Sequence, residues 1–180
     1  MPAGSAVAPA RAPYAAVESA MARAKSPQQA CSEISRIFNV GPTEVALMRI
    51  EGDILNFQFP AELQAGGFIP LASSKAVAAR TATTRKIELF NNFVIVQHVN
   101  VFETIKLVTL GQSAAPGAST IQKLMTAPIT DAHHDVVGVL QVCRKGLTPE
   151  ESGPDFTLTD LQNLEKTAKG LGKLPFMRTI

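Results

Sequence analysis

Cysteine is scarce in this chain of 180 residues: Cys31 and Cys143 are the only two, and they lie far apart. A disulfide framework needs more than that. Cys31 falls in a helical pattern and Cys143 in an apolar strand pattern, so both read as reduced, buried thiols. Long apolar runs are also missing. Stretches such as Phe93 to Val96 fall far short of the roughly 20 residues that a membrane helix requires. No compact run of Lys and Arg occurs, and the formal net charge is only +2, which argues against nucleic acid or an anionic membrane as partner. The N-terminus lacks a basic start followed by an apolar block, so no secretory leader is expected and the location reads as cytoplasmic. A phosphate-cradling glycine loop and any noteworthy Ser/His/Asp spacing are absent as well, which leaves no catalytic constellation.

What the chain does contain is ordinary material for one folded domain: 46% apolar and 18% charged residues. The most informative stretch runs from Ile121 to Gly146. Its second limb, Val136 to Cys143, is apolar at nearly every position except Gly138 and Gln141. A strand with apolar groups on both faces is covered on both faces and belongs near the middle of a sheet. The first limb holds Pro128, which cannot donate a ladder hydrogen bond and so is expected at a bulge or on an unpaired side. Asp131 to Asp135 supply the turn between the limbs.

In chain order, residues 1–13 are rich in Ala and Pro and read as a flexible arm. Helix formers follow from Tyr14 to Lys25, with Val17, Met21 and Ala24 at helical spacing. Ser26-Pro27-Gln28-Gln29 starts a second helix, with Ser as N-cap and Pro in the first turn. Its apolar stripe is Ala30, Ile34 and Ile37 or Phe38. Val45 to Met48 is a buried strand. After the Glu51-Gly52-Asp53 turn, Leu55, Phe57 and Phe59 alternate with Asn56 and Gln58, which marks a strand with one wet face. Pro60 stops it, and Gly66-Gly67 reads as loop. Ser73 or Ser74 is expected to cap a helix to about Lys86. Ile87 to Leu110 fits neither period and reads as a loop with one short helix or strand, packed over a sheet face. A surface loop, the central hairpin and a second loop follow. Thr157-Leu158-Thr159-Asp160 then opens a helix in capping-box style, with Leu161, Leu164, Ala168 and Leu171 forming a narrow seam suited to another helix. Strand pairs joined by short turns, together with terminal helices on a shared face, give an α+β layer.

Four groups of residues in this order resemble the GAF domain, a small sensory module related to PAS domains. Met125-Thr126-Ala127-Pro128-Ile129 resembles the family's proline-bearing strand, and Val136 to Val142 its glycine-bearing neighbour. Phe156-Thr157 with Asp160-Leu161 resembles the start of the closing helix, and Ser74 to Ala82 the helix crossing the sheet. The resemblance covers roughly residues 26–174. It implies an antiparallel sheet of five or six strands, with terminal helices on one face and a helix plus loops enclosing a pocket on the other. The single domain would span residues 14–174, with residues 175–180 as a tail.

The resemblance also implies a function: a sensory or regulatory domain that binds a small molecule. No kinase, cyclase or DNA-binding pattern follows the last helix, so it would signal from a stand-alone unit, through a partner or through a homodimer formed by the terminal helices. The alternative is a dimerisation or scaffold module with a closed pocket. The ligand-binding candidates are Arg80, Asn92, His98, Phe102, Glu103 and Met125. No cofactor is indicated. The family's cyclic-nucleotide signature is not found; Asn91-Asn92-Phe93 is a start without the later Asp-Glu pair. Neither cysteine is followed by histidine, as in bilin-binding members, and the pocket loops lack the cysteine cluster of members that reduce free methionine sulfoxide. His133 and His134 beside Asp131 and Asp135 have the chemistry of metal ligands. Adjacent side chains in a tight turn do not converge on one ion, however, so they read as a solvated turn.

Overall fold

The computed structural model describes residues 14–65, 67–93 and 120–178. Six strands form one antiparallel sheet: β1 (Val45–Glu51), β2 (Ile54–Phe59), β3 (Phe68–Pro70), β4 (Glu88–Phe90), β5 (Thr120–Thr130) and β6 (Val136–Gly146). Their spatial order is β3-β2-β1-β6-β5-β4. The apolar limb, β6, therefore lies between β1 and β5 with both faces covered. Pro128 pairs with Val139 of β6, whereas β4 reaches only as far as Thr126. Among the described residues, one side of β5 thus has no strand beside Pro128, and a residue lacking an N–H does no harm there.

Among the described residues the helices are α1 (Tyr14–Ala22), α2 (Pro27–Phe38), α3 (Ala61–Gln64), α4 (Val77–Thr84) and α5 (Leu158–Leu171). Against one sheet face, α1, α2 and α5 enclose a core that includes Met21, Ile34, Phe38, Leu47, Met125 and Leu164. Against the other, α4 covers a second core with Met48, Leu55, Phe57, Leu124, Val139 and Cys143. Alternation along β5 sorts its side chains between them: Met125, Ala127 and Ile129 go to the first core and Leu124 to the second.

Local chemistry fixes the helix ends. The Ser26 side chain accepts from Gln29 N at 3.2 Å, with Pro27 at the first position of α2. Thr157 and Asp160 form the reciprocal capping box at α5: Asp160 N donates to Thr157 Oγ1 at 3.1 Å, and Thr157 N donates to Asp160 Oδ2 at 2.9 Å. In the β5–β6 turn, Asp131 Oδ1 accepts from His133 N at 2.8 Å and Asp135 N at 3.0 Å. A short carboxylate bonding its own backbone makes the turn.

Several expectations need correction. The seam of α5 does meet another helix, but within the same chain: Leu164, Ala168 and Leu171 are fully buried, and Gly170 lies against Met21 of α1. Helix α4 starts at Val77, later than a Ser73 or Ser74 cap would place it; Ser73 Oγ instead accepts from Ala76 N at 3.3 Å, one turn earlier. Phe59 does not share a face with Phe57. A bulge between Leu47 and Met48 sets Phe57 opposite Met48 and Phe59 opposite Leu47, and the parity flips. Ordered structure also continues past residue 174: Pro175–Met177 form a 3-10 turn, and Met177 is fully buried in the helix-side core.

That turn is tied to the sheet. Arg49 Nη1 donates to Phe176 O at 3.1 Å, while its Nε donates to Glu51 Oε1 at 3.0 Å and Asn56 Nδ2 also bonds the Glu51 carboxylate. The hydrogen bonds from Arg49 and then Asn56 hold this carboxyl below its usual range. A depressed folded value means that its contribution is present at neutral pH and is lost as pH falls through that value. The glutamate side chain is 38% exposed, and solvent screening holds the effect under about 1 kcal/mol. Glu51→Gln should be less stable than the parent in urea at about pH 7, and the gap should narrow as acidification protonates the carboxylate. A gap that does not narrow on acidification would show that the carboxylate's charge is not what counts.

Candidate functional site

The sheet face under α4 carries an apolar surface with one polar thread through it. Register brings Thr126 of β5 opposite Gln141 of β6, and Ala46 of β1 lies on the far side of Gln141. Thr81, on the inward face of α4, sits above Thr126, with 2.9 Å between their hydroxyl oxygens. The Thr81 hydroxyl also bonds Val77 O at 2.9 Å, and Gln141 Nε2 donates to Thr126 Oγ1 at 3.4 Å. All three residues are buried. Buried hydroxyls and amides cost free energy unless hydrogen-bonded, and here they satisfy one another.

At the β4 side the face turns aromatic and charged. Phe90 and Phe93 meet edge to face with centroids 5.9 Å apart. Arg80 reaches across from α4 to Glu88, with Nε to Oε1 at 3.0 Å and Nη2 to Oε2 at 2.8 Å. Its guanidinium lies 5.9 Å from the centre of the Phe90 ring. This fork-on-fork pair orients Arg80 along the sheet edge. Next to it, Asn91 makes two bonds with the backbone of Phe156: Nδ2 donates to its carbonyl at 3.0 Å, and Oδ1 accepts from its N–H at 2.9 Å.

The candidates named from sequence are only partly gathered here. Arg80 is beside the face and ion-paired with Glu88. Asn92 is exposed next to Phe93. Met125 is fully buried on the opposite face, in the core under the terminal helices. His98, Phe102 and Glu103 lie outside the described residues, as does the rest of the segment after Phe93. Thr81 and Thr126 were not among the candidates. The alternation that puts Met125 on one face puts Thr126 on the other, and this signal was available in the strand itself. Cys143 is buried on the α4 side, whereas Cys31 is buried under the terminal helices, where desolvation pushes its thiol well up. His133 and His134 are exposed in the hairpin turn, and among the described residues no three His, Cys, Asp or Glu side chains are grouped to hold a metal ion. No helix among them is long and apolar enough to cross a membrane.

This architecture is that of a GAF domain. The GAF domain of Acinetobacter phosphoenolpyruvate-protein phosphotransferase superposes with a TM-score of 0.62 at 11% identity, covering 88% of this chain and 87% of that one. Residues 122 to 287 of a methyl-accepting chemotaxis protein give 0.59 at 14% identity, over 87% of this chain and 92% of that one. A free methionine-R-sulfoxide reductase from Neisseria meningitidis, in complex with its substrate, gives 0.58 at 16% identity, over 88% and 83%. No protein-family model and no curated protein matches the sequence. At these identities the likeness is one of fold.

Proposed function

We propose that this GAF-fold chain is a non-enzymatic sensory module that takes a small molecule on the α4 face of its sheet and passes the event to a partner or a second copy. The observation that carries this reading is the Thr81–Thr126–Gln141 thread, a set of hydroxyl and amide groups in an otherwise apolar face beside an aromatic pair. Such a face, mostly apolar with a few placed polar groups, is the usual make-up of a small-molecule site. The sulfoxide reductase shows that the fold also supports chemistry, but this chain's two buried cysteines lie on opposite sheet faces. That separation favours binding over redox catalysis.

A thermal-shift and native mass-spectrometry screen against nucleotides, amino acids, 2-oxo acids and haem tests the reading. We expect at least one class to raise the melting temperature, and Thr126→Val to abolish that gain. Removing the hydroxyl withdraws a partner from Thr81 and Gln141 at a cost of about 1–2 kcal/mol, which a melting curve without ligand measures separately. No response to any class, or a response that Thr126→Val leaves intact, would refute it.

A second reading has its own support. Ala46, Met48, Leu55, Ala79, Ile121 and Val139 on this face are all essentially inaccessible, as expected if side chains rather than a ligand fill the space. The chain would then be a scaffold or dimerisation module. With Leu164 and Leu171 of α5 occupied internally, Leu158, three-quarters exposed in the first turn of α5, offers apolar surface to another copy. Light scattering decides: a strict monomer at high concentration removes the dimer.

A further inference from the structure

A cleft of about 490 Å³ lies away from the α4 face, where the end of α4, the β5–β6 turn and the outer side of α5 come together. Ile87 and Pro128 contribute apolar surface to it, and Arg85, Lys86, His134 and Lys169 contribute basic groups. Glu165 is the one carboxylate among the residues lining it, at 3.5 Å from Lys169 on the next turn of α5. Three permanent cations therefore face one anion. Among the described residues, neither Arg85 nor Lys86 has a carboxylate partner within ion-pair distance. The nearby turn carboxylate Asp131 is engaged locally by two backbone N–H groups.

The backbone is committed to this arrangement. Arg85 and His134 both adopt left-handed conformations, with φ of +60° and +65°. Side-chain-bearing residues enter that region at a cost of roughly 1 kcal/mol or more. The two are joined across the cleft wall, where Arg85 Nη1 donates to His134 O at 3.2 Å. That bond leaves the other guanidinium donors to be satisfied by solvent or ligand. Like charges brought together repel, and an anion of charge near −2 relieves this best.

We infer that this cleft binds a phosphate monoester of metabolite size, with its phosphate among Arg85, Lys86 and Lys169 and its organic part against Ile87 and Pro128. A dianionic phosphate suits three cations better than a monoanionic carboxylate does, and a planar guanidinium bonds it through two donors at once. The apolar floor favours an ester over the free ion.

Isothermal titration with phenyl phosphate tests the inference, with inorganic phosphate and benzoate as comparison probes. Phenyl phosphate should bind saturably, about tenfold tighter than either comparison probe. The R85Q/K86Q double variant should bind it about tenfold more weakly, and Glu165→Gln a few-fold more tightly. Both change side chains at the surface, and the E165Q gain cannot arise from misfolding. Added salt should weaken binding in the parent. Absence of saturable binding, equal affinity for benzoate, or an affinity unmoved in both variants would overturn the assignment. Thr126→Val is expected to leave phenyl phosphate binding unchanged, so this site and the α4 face succeed or fail separately.

Discussion

Gly172→Ala is expected to lower the unfolding free energy by about 3 kcal/mol or more. Gly172 ends α5 with ordinary right-handed backbone angles, φ −61° and ψ −17°, so alanine meets no conformational obstacle. By propensity alone it would even be favoured by roughly 1 kcal/mol. The obstacle is steric: a Cβ at this position would lie 1.8 Å from the carbonyl oxygen of Thr130, at the end of β5. Backbone cannot step aside as a flexible side chain can, so either α5 or the hairpin must move. Movement of α5 disturbs Leu164, Ala168 and Leu171, none of which has accessible surface. Urea unfolding of the variant measures the loss. A midpoint equal to or above the parent's would mean that the helix end and Thr130 are not in contact.

The second large effect is expected at Arg144. This residue of β6 is buried, and its guanidinium donates to Phe38 O and Asn39 O at 3.1 Å each. Those carbonyls close the C-terminus of α2, where the last C=O groups lack helical partners and the helix dipole is negative. On its other side the guanidinium stacks 4.7 Å from the centre of the Phe156 ring. Arg144→Leu keeps much of the bulk but leaves two carbonyls without their donor, at about 1–3 kcal/mol each before the regained desolvation of the cation is set against it. We expect a net loss of about 3 kcal/mol. Arg144→Lys should recover only part, because an ammonium lacks the planar fork that bonds two carbonyls while lying on a ring. Denaturation of both variants checks this, and a lysine variant as stable as the parent would contradict it.

Arg144 also shows where the sequence was hard to read. Its neighbours in β6 were legible because continuous apolar character places a strand at a sheet's centre, and β6 lies there. The capped starts of α2 and α5 were legible for a similar reason, since their chemistry is local. Cations such as Arg144 and Lys123 look like surface groups in sequence. Lys123 is buried only because it reaches Gly153 O at 2.7 Å and Asp155 Oδ1 at 2.8 Å, some 30 residues away. Short elements were missed for the same reason. Leu63 of α3 and Ile69 of β3 are held by burial in the α4-side core, and a window of three or four residues carries no period of its own. For the candidate site, period two was the missing step. Applied to β5, it selects Thr126 over Met125. Gln141 stood out as the polar exception in its strand, but nothing in the sequence indicated that Thr81 would lie above Thr126.

The two bonds between Asn91 and Phe156 have a mechanical consequence. An amide side chain that both gives to and takes from the backbone of one residue, on the two peptide planes flanking its Cα, behaves as a rivet rather than a hinge, because either bond alone would allow the strand end to swivel. The residue after the riveted one is Thr157, the cap of α5, and the riveted ring is the one on which Arg144 rests. Any force that shifts the end of β4 must therefore shear both bonds or drag the first turn of α5 with it, around the rim of the sheet rather than through its middle.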